Sequence, residues 1–288
     1  MSDHAKRFKM TLEFDGSHYS GWQKQDDART IQGSLLKAAT ELFGDQVDVQ
    51  GCGRTDAGVH GLHFVAHLEA RTDLNPQEIK ERLNGSLPRD ISILACKRAG
   101  ARFHARHNCI GRSYCYQIAR RKMALGRDHV WQILVPLDVE QMQEAAAVLV
   151  GMHDFTSFTD RQVVKKKSPM VMVNQCQVVA TGDLILFRIV GSHFLWKMVR
   201  RIVGVLVAVG KGELAVVDVH RFLQQPLVLK QYTAPAQGLF FERAFYDQEE
   251  LDGFLETELF RPGSFAARGK QGLAFSSCSI AIPADDVN

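Results

Sequence analysis

The chain has 288 residues, 45% hydrophobic and 23% charged, with 35 Lys and Arg against 32 Asp and Glu for a net charge of +3. That length suits about two domains of roughly 100–200 residues each, and the composition excludes a mini-protein, a wholly disordered chain and a fibrous repeat. A charge this mild does not announce a polyanion partner, so any such partner must meet a local patch. The longest apolar run, Ile202 to Gly210, falls far short of the ~18–20 residues that span a bilayer, and the polar start Ser2-Asp3-His4 lacks a signal-peptide core. A cytoplasmic protein with no membrane partner is expected. Six cysteines (Cys52, Cys96, Cys109, Cys115, Cys176, Cys278) stand at irregular spacings without a C-x-x-C pair, which reads as reduced, structural thiols rather than a zinc or redox site.

Phe8 to Phe14 alternates apolar and polar residues, the period-2 signature of a half-buried strand ending at Asp15-Gly16. Leu35, Leu36, Ala39, Leu42 and Phe43 then share one helical face that Gly44 can terminate. Val47 to Val49 and Phe64 to Ala70 read as strands. Asn75-Pro76-Gln77-Glu78 supplies an N-cap, a proline at the first helical position and a capping-box acid for a short helix through Leu83, before a strand from Ile91 to Lys97. A second half repeats this grammar: a strand Arg112 to Arg120, a helix capped by Asp138 running to Gly151, strands Val171 to Ala180 and Leu184 to Val190, a long helix from about His193 to Val209, another near Leu214 to Leu223, and a strand Leu239 to Tyr246. Residues 1–108 and 109–247 thus divide into two α+β halves. Beyond them lie an acidic amphipathic stretch, Gln248 to Leu259, and a Gly/Ser/Ala-rich extension expected to be flexible.

The chain lacks an intact G-x-S-x-G, P-loop, H-E-x-x-H or G-x-G-x-x-G motif. Its densest unusual segment is Gly51-Cys52-Gly53-Arg54-Thr55-Asp56-Ala57-Gly58-Val59-His60, where glycines free the backbone to turn sharply and present one acid at a cleft. An arginine nearby would keep Asp56 ionised, which suits a nucleophile or electrostatic stabiliser; an Asx-turn with a surface ion pair is the plain alternative. His60, His63 and His67 would line up on a helix, but the alternation of Phe64, Ala66 and Leu68 makes the segment a strand on which only His63 and His67 share a face, so no metal site is expected. Basic clusters stand at Arg120-Arg121-Lys122, Lys165-Lys166-Lys167 and Lys197, Arg200, Arg201. The third interrupts an apolar helix, where an arginine must find a partner or line a cleft, and Asp56 is a natural partner.

These segments closely resemble the TruA-type tRNA pseudouridine synthases over Phe8 to about Tyr246. The motifs occur in family order: Asp15-Gly16-Ser17-His18-Tyr19-Ser20-Gly21-Trp22-Gln23, Thr30-Ile31-Gln32-Gly33, Gly53 to His60, Phe103-His104-Ala105-Arg106, Arg112-Ser113-Tyr114-Cys115-Tyr116, His153 to Phe158, Gly191 to Arg200, and Ala236-Gln237-Gly238-Leu239. The resemblance implies two α+β halves, RRM- or ferredoxin-like, whose antiparallel sheets join into one continuous mixed sheet with helices packed on one face and a catalytic cleft between the halves. It implies a homodimer that isomerises uridine to pseudouridine in the anticodon arm of tRNA, at the positions usually numbered 38 to 40, with no cofactor. Asp56 matches the family's catalytic aspartate, Tyr114 its active-site tyrosine, Arg200 the arginine that pairs with the aspartate, and Arg54 the one associated with displacing the target base. Lys197, Arg201 and Lys165 to Lys167 would then grip phosphates around a flipped nucleotide. Two other classes stay open: a non-catalytic RNA-binding protein using the same sheet and cleft, and a metal-dependent hydrolase using the three histidines.

Overall fold

A computed structural model describes residues 4–165 and 168–256. In chain order the elements are β1 (Lys6–Phe14), α1 (Ile31–Phe43), β2 (Asp48–Gly51), β3 (His60–Ala70), α2 (Pro76–Ser86) and β4 (Ile91–Ala99), followed by β5 (Gly111–Ala119), β6 (Trp131–Gln132), α3 (Val139–Ala147), β7 (Gly151–Asp154) and the four-residue α4 (Arg161–Val164). Then come β8 (Met170–Thr181), β9 (Leu184–Gly191), α5 (Met198–Gly210), α6 (Val216–Gln224), β10 (Leu239–Phe245) and α7 (Gln248–Leu255). The strands form one mixed sheet in the order β4-β1-β3-β10-β5-β9-β8-β7, with β2 paired to β3 and β6 to β5.

Local chemistry places the first elements. Phe8, Met10, Leu12 and Phe14 of β1 are all buried, as the alternation requires. Thr30 caps α1 by accepting from Gly33 N–H at 3.2 Å, and Gly44 ends it with φ +83. Asn75 and Glu78 close the capping box of α2 reciprocally, and Asp138 caps α3 through Gln141 N–H. Two helices are shorter than their sequence pattern. α3 stops at Ala147 because Gly151, at φ +112, already opens β7. α5 begins at Met198 rather than near His193, because Lys197 takes a left-handed conformation and 192–197 is loop.

The last strand among the described residues is not at an edge. β10 lies in mid-sheet, antiparallel to β5, with Phe241 opposite Tyr114, and parallel to β3, with Phe240 opposite His60. The junction of the halves is thus a parallel pair formed by β10, whereas β1, β3 and β4, and likewise β5, β9, β8 and β7, pair antiparallel. Each half keeps its own core on the helical face: Phe8, Leu12, Phe64 and Leu68 against Leu35 and Ile79 in one, Ile118, Phe187 and Ile189 against Ile202 and Leu206 in the other. Tyr114 packs against both. α7 departs from the one-face arrangement. Val190 alternates with Ile189 and so points to the opposite face, where Leu251 and Phe254 of α7 cover it together with Phe245.

Beside the seam, Glu242 is buried with both carboxylate oxygens on Arg188, at 2.9 and 2.5 Å, while Ser113 Oγ donates to it at 2.7 Å. These three residues tie β10, β9 and β5 together. Among the described residues no helix is long and apolar enough to cross a membrane. The extension from residue 257 onward, including the end of the acidic stretch and Cys278, lies outside the described residues.

Candidate active site

The loop between β2 and β3 carries Asp56, and two glycines of the segment after β1 let it close. A Cβ on Gly16 would stand 2.0 Å from the Val59 carbonyl oxygen, and one on Gly21, at φ +91, would stand 2.5 Å from that of Thr55. Backbone therefore packs on backbone: Trp22 N–H donates to Thr55 O at 3.2 Å and Gly58 N–H to Tyr19 O at 3.3 Å. This fixes the Asp56 side chain on the wall of a cleft of about 560 Å³ that is also lined by Arg54, Arg112, Tyr114, Phe194 and Arg200.

Both oxygens of Asp56 are engaged. Arg200 Nη1 donates to Oδ2 at 2.9 Å, and Trp196 Nε1 donates to Oδ1 at 3.1 Å. Arg200 is itself held, its Nε donating to Ala234 O at 2.8 Å while Ala234 N–H donates back to the Arg200 carbonyl at 3.0 Å. Tyr114, on β5, stands edge-on to Phe194 and Phe241 with centroids 5.2 and 5.1 Å away. Burial pushes its phenol above the ordinary tyrosine range, so it rests neutral. Arg54 is exposed on the cleft wall. The first half supplies Arg54 and Asp56 to this cleft, the second Tyr114, Trp196 and Arg200.

A sequence profile described as tRNA pseudouridine synthase matches residues 10–108 and 145–247. The tRNA pseudouridine synthase A of Zymomonas mobilis subsp. mobilis is 40% identical over 244 residues, covering 83% of this chain and 99% of the relative. That of Nitrobacter hamburgensis is 38% identical over the same shares, and tRNA pseudouridine synthase A 2 of Clostridium tetani is 34% identical over 84% of this chain and all of the relative. The chain belongs to the tRNA pseudouridine synthase family. Arg54, Asp56 and Arg200 fall inside the matched segments, while Arg112 and Tyr114 fall in the stretch between them.

In this pseudouridine synthase the basic cluster at the start of α5 has three separate fates. Arg200 meets Asp56. Lys197, also lining the cleft, places its ammonium 4.2 Å from the centroid of the Trp196 ring. Arg201, expected among the phosphate-gripping residues, is 1% exposed and paired with Asp160, which it holds below the ordinary carboxylate range. One helical step of ~100° turns it from the cleft surface into the interior, so it is no surface for phosphate. Lys165 is exposed just after α4, whereas Lys166 and Lys167 lie outside the described residues.

Nothing in the residue pattern assigns Arg112 a separate role, yet its guanidinium donates to four carbonyls: Cys109 and Ser192 from Nη1 at 3.0 and 2.7 Å, Cys52 and Arg106 from Nη2 at 3.2 and 3.1 Å. It pins the Asp56 loop to the end of β9. No residue pattern marks a side chain that serves scattered backbone oxygens. Trp196 was missed because an aromatic residue within an apolar run reads as core.

The three histidines of β3 do not converge. His67 is buried, its pKa pushed down to about 4 by burial, and its Nδ1 accepts from Ala105 N–H at 3.2 Å. His60 instead joins Asp15 and His129. Its Nδ1 lies 3.1 Å from both Gly16 N–H and Asp15 Oδ1, its Nε2 donates to Gln237 O at 3.1 Å, and its ring stacks on His129. His129 Nε2 donates to Asp15 Oδ2 at 3.1 Å. Gly16 N–H aims at His60 Nδ1, and the contacts of Asp15, His60 and His129 make a hydrogen-bonded clamp across the seam. The thiols fit structural roles, with Cys52 and Cys176 buried and Cys96 pushed up to about 12 by burial.

Proposed function

We propose that this tRNA pseudouridine synthase isomerises uridines 38, 39 and 40 of the anticodon stem-loop, with Asp56 as nucleophile and no added cofactor. The observation that carries the reading is the Asp56 carboxylate held by Arg200 and Trp196 in a cleft that also presents Tyr114 and Arg54. The reaction breaks the bond between N1 of uracil and C1′ of ribose, turns the base, forms a C5–C1′ bond and moves the C5 proton, so substrate and product have the same atoms. Nothing is oxidised or reduced. An ionised carboxylate beside a fixed guanidinium can assist departure of the base from C1′. Tyr114, lining the cleft, offers its ring for the detached base to stack on. As a neutral phenol it can take the C5 proton only while passing on its own, which assigns it a relay.

A uridine in a stem cannot reach Asp56 without leaving the helix, at a cost of a few kcal/mol. In this reading the exposed Arg54 guanidinium takes the vacated position, and Lys197 with Lys165, Lys166 and Lys167 supplies phosphate contacts. The same reading takes the enzyme as a cytoplasmic homodimer built of halves 1–108 and 109–247. Its test is release of tritium from tRNA carrying 5-tritiated uridine, with pseudouridines mapped by position. Asp56→Ala is expected to abolish release while tRNA binding and folding persist, because a single cleft carboxylate contributes little to the core. Wild-type release from that variant, or wild-type product at other positions, overturns the reading.

A further inference from the structure

Trp196 is 47% exposed, yet its indole N–H reaches Asp56 Oδ1 at 3.1 Å. The residue after it, Lys197, has φ +60 and is the one non-glycine in the left-handed region among the described residues. That conformation is sterically disfavoured for a side chain with a Cβ, and such outliers persist where the surroundings impose them. Here the turn at Lys197 starts α5 directly afterwards, so that Trp196 and Arg200, four residues apart, meet the two oxygens of one carboxylate.

We propose that Trp196 is a positioning residue for Asp56, a role that rests on Asp56 being the reactive carboxylate. With Arg200 alone the carboxylate can rotate about its Cβ–Cγ bond; with Trp196 on the other oxygen its plane is fixed, and one lone pair of Oδ1 stays directed into the cleft. An exposed aromatic ring on a cleft wall could instead be a stacking platform for a base. The hydrogen bond to Asp56 and the Lys197 ammonium over the ring favour positioning.

The test uses the full-length enzyme and tRNA carrying 5-tritiated uridine. Trp196→Phe keeps the ring and removes the donor; Trp196→His restores an N–H. The Phe variant is expected to lose about tenfold in single-turnover rate, with the Kd for tRNA within about twofold of wild type and an unchanged Tm. The His variant is expected to recover part of the rate. In protein labelled with 6-fluorotryptophan, the fluorine resonance missing from Trp196→Phe should shift in Asp56→Asn, a coupling that a bystander ring would not show. A wild-type rate in Trp196→Phe, a loss confined to tRNA binding, or a Trp196 resonance indifferent to Asp56→Asn overturns the proposal. Asp56→Ala, assayed alongside, separates the two readings: if it stays active the reading of Asp56 fails, and if it is dead while Trp196→Phe is fully active only the role of Trp196 fails.

Discussion

Arg200→Lys tests how the carboxylate is held, because it keeps the positive charge and removes the fork. The guanidinium of Arg200 serves two acceptors at once, Asp56 Oδ2 through Nη1 and Ala234 O through Nε. A lysine ammonium is a single point that cannot satisfy both from the same backbone position. A hydrogen bond to a charged group contributes about 1.5–3 kcal/mol. Here the side chains of Arg200 and Asp56 keep 16% and 22% of their exposure, so water replaces part of what is lost and the lower end, about 1.5–2 kcal/mol, applies. At 1.36 kcal/mol per factor of ten, the single-turnover rate of tritium release should fall about ten- to thirtyfold. Arg200→Ala also leaves the Ala234 carbonyl without its donor and should fall further, by about a hundredfold. Saturating enzyme separates this loss from any change in tRNA affinity. A wild-type rate in Arg200→Lys, or an Arg200→Ala no slower than Arg200→Lys, would falsify the account of Arg200 as a forked clamp.

Two further predictions concern the seam. Asp15 is held well below the ordinary carboxylate range, chiefly by its hydrogen bond from His129, against an opposing effect of burial. A depressed folded pKa gives stability that is complete above the unfolded value of ~3.9 and is lost as pH falls toward the folded value. Asp15→Asn should therefore cost about 1–2 kcal/mol at pH 7, discounted for the partly exposed Asp15 side chain, and less at pH 3.5; equal gaps in urea unfolding at the two pH values would refute the assignment. Glu242→Gln leaves the Arg188 guanidinium buried without its counter-charge, which costs about 3 kcal/mol or more. At about 2–4 °C per kcal/mol for a domain of 150–250 residues, Tm should drop by about 6–12 °C with little change in rate per folded molecule; a drop under about 2 °C would sink the estimate.

The sequence disclosed what is encoded locally. β1 follows from a strict alternation, and α1, α2 and α3 begin at Thr30, Asn75 and Asp138 because caps are decided within three residues. The place of β10 could not be read, since a strand's neighbours depend on chain far away; nothing in Leu239–Phe245 says that it will lie between β3 and β5. Within the site, a partner for Asp56 in the cluster of Lys197, Arg200 and Arg201 was legible because a charge on an apolar helix must be compensated, and the family resemblance singled out Arg200. The same rule cannot choose among neighbouring cations. It grouped Arg201 with the cleft, although Asp160 satisfies it inside the protein. Trp196 was hidden for the opposite reason, since its indole N–H is one polar atom on a side chain that periodicity counts as apolar.

Neither half can assemble this cleft alone. Asp56 is carried by a loop of the first half, and the groups that engage its oxygens arise from the segment after β9 and the first turn of α5 in the second. What sets their separation is β10, which fixes β5 against β3 through hydrogen bonds on both sides, with Phe240 opposite His60 and Phe241 opposite Tyr114. Around that strand cluster the contacts that cross between the halves: Arg112 to Cys52, Asp15 to His129, and His60 to Gln237. A carboxylate and a guanidinium 2.9 Å apart tolerate little sliding of one half over the other. The buried and hydrogen-bonded seam is therefore the physical reason that residues 144 positions apart in sequence can act as one centre.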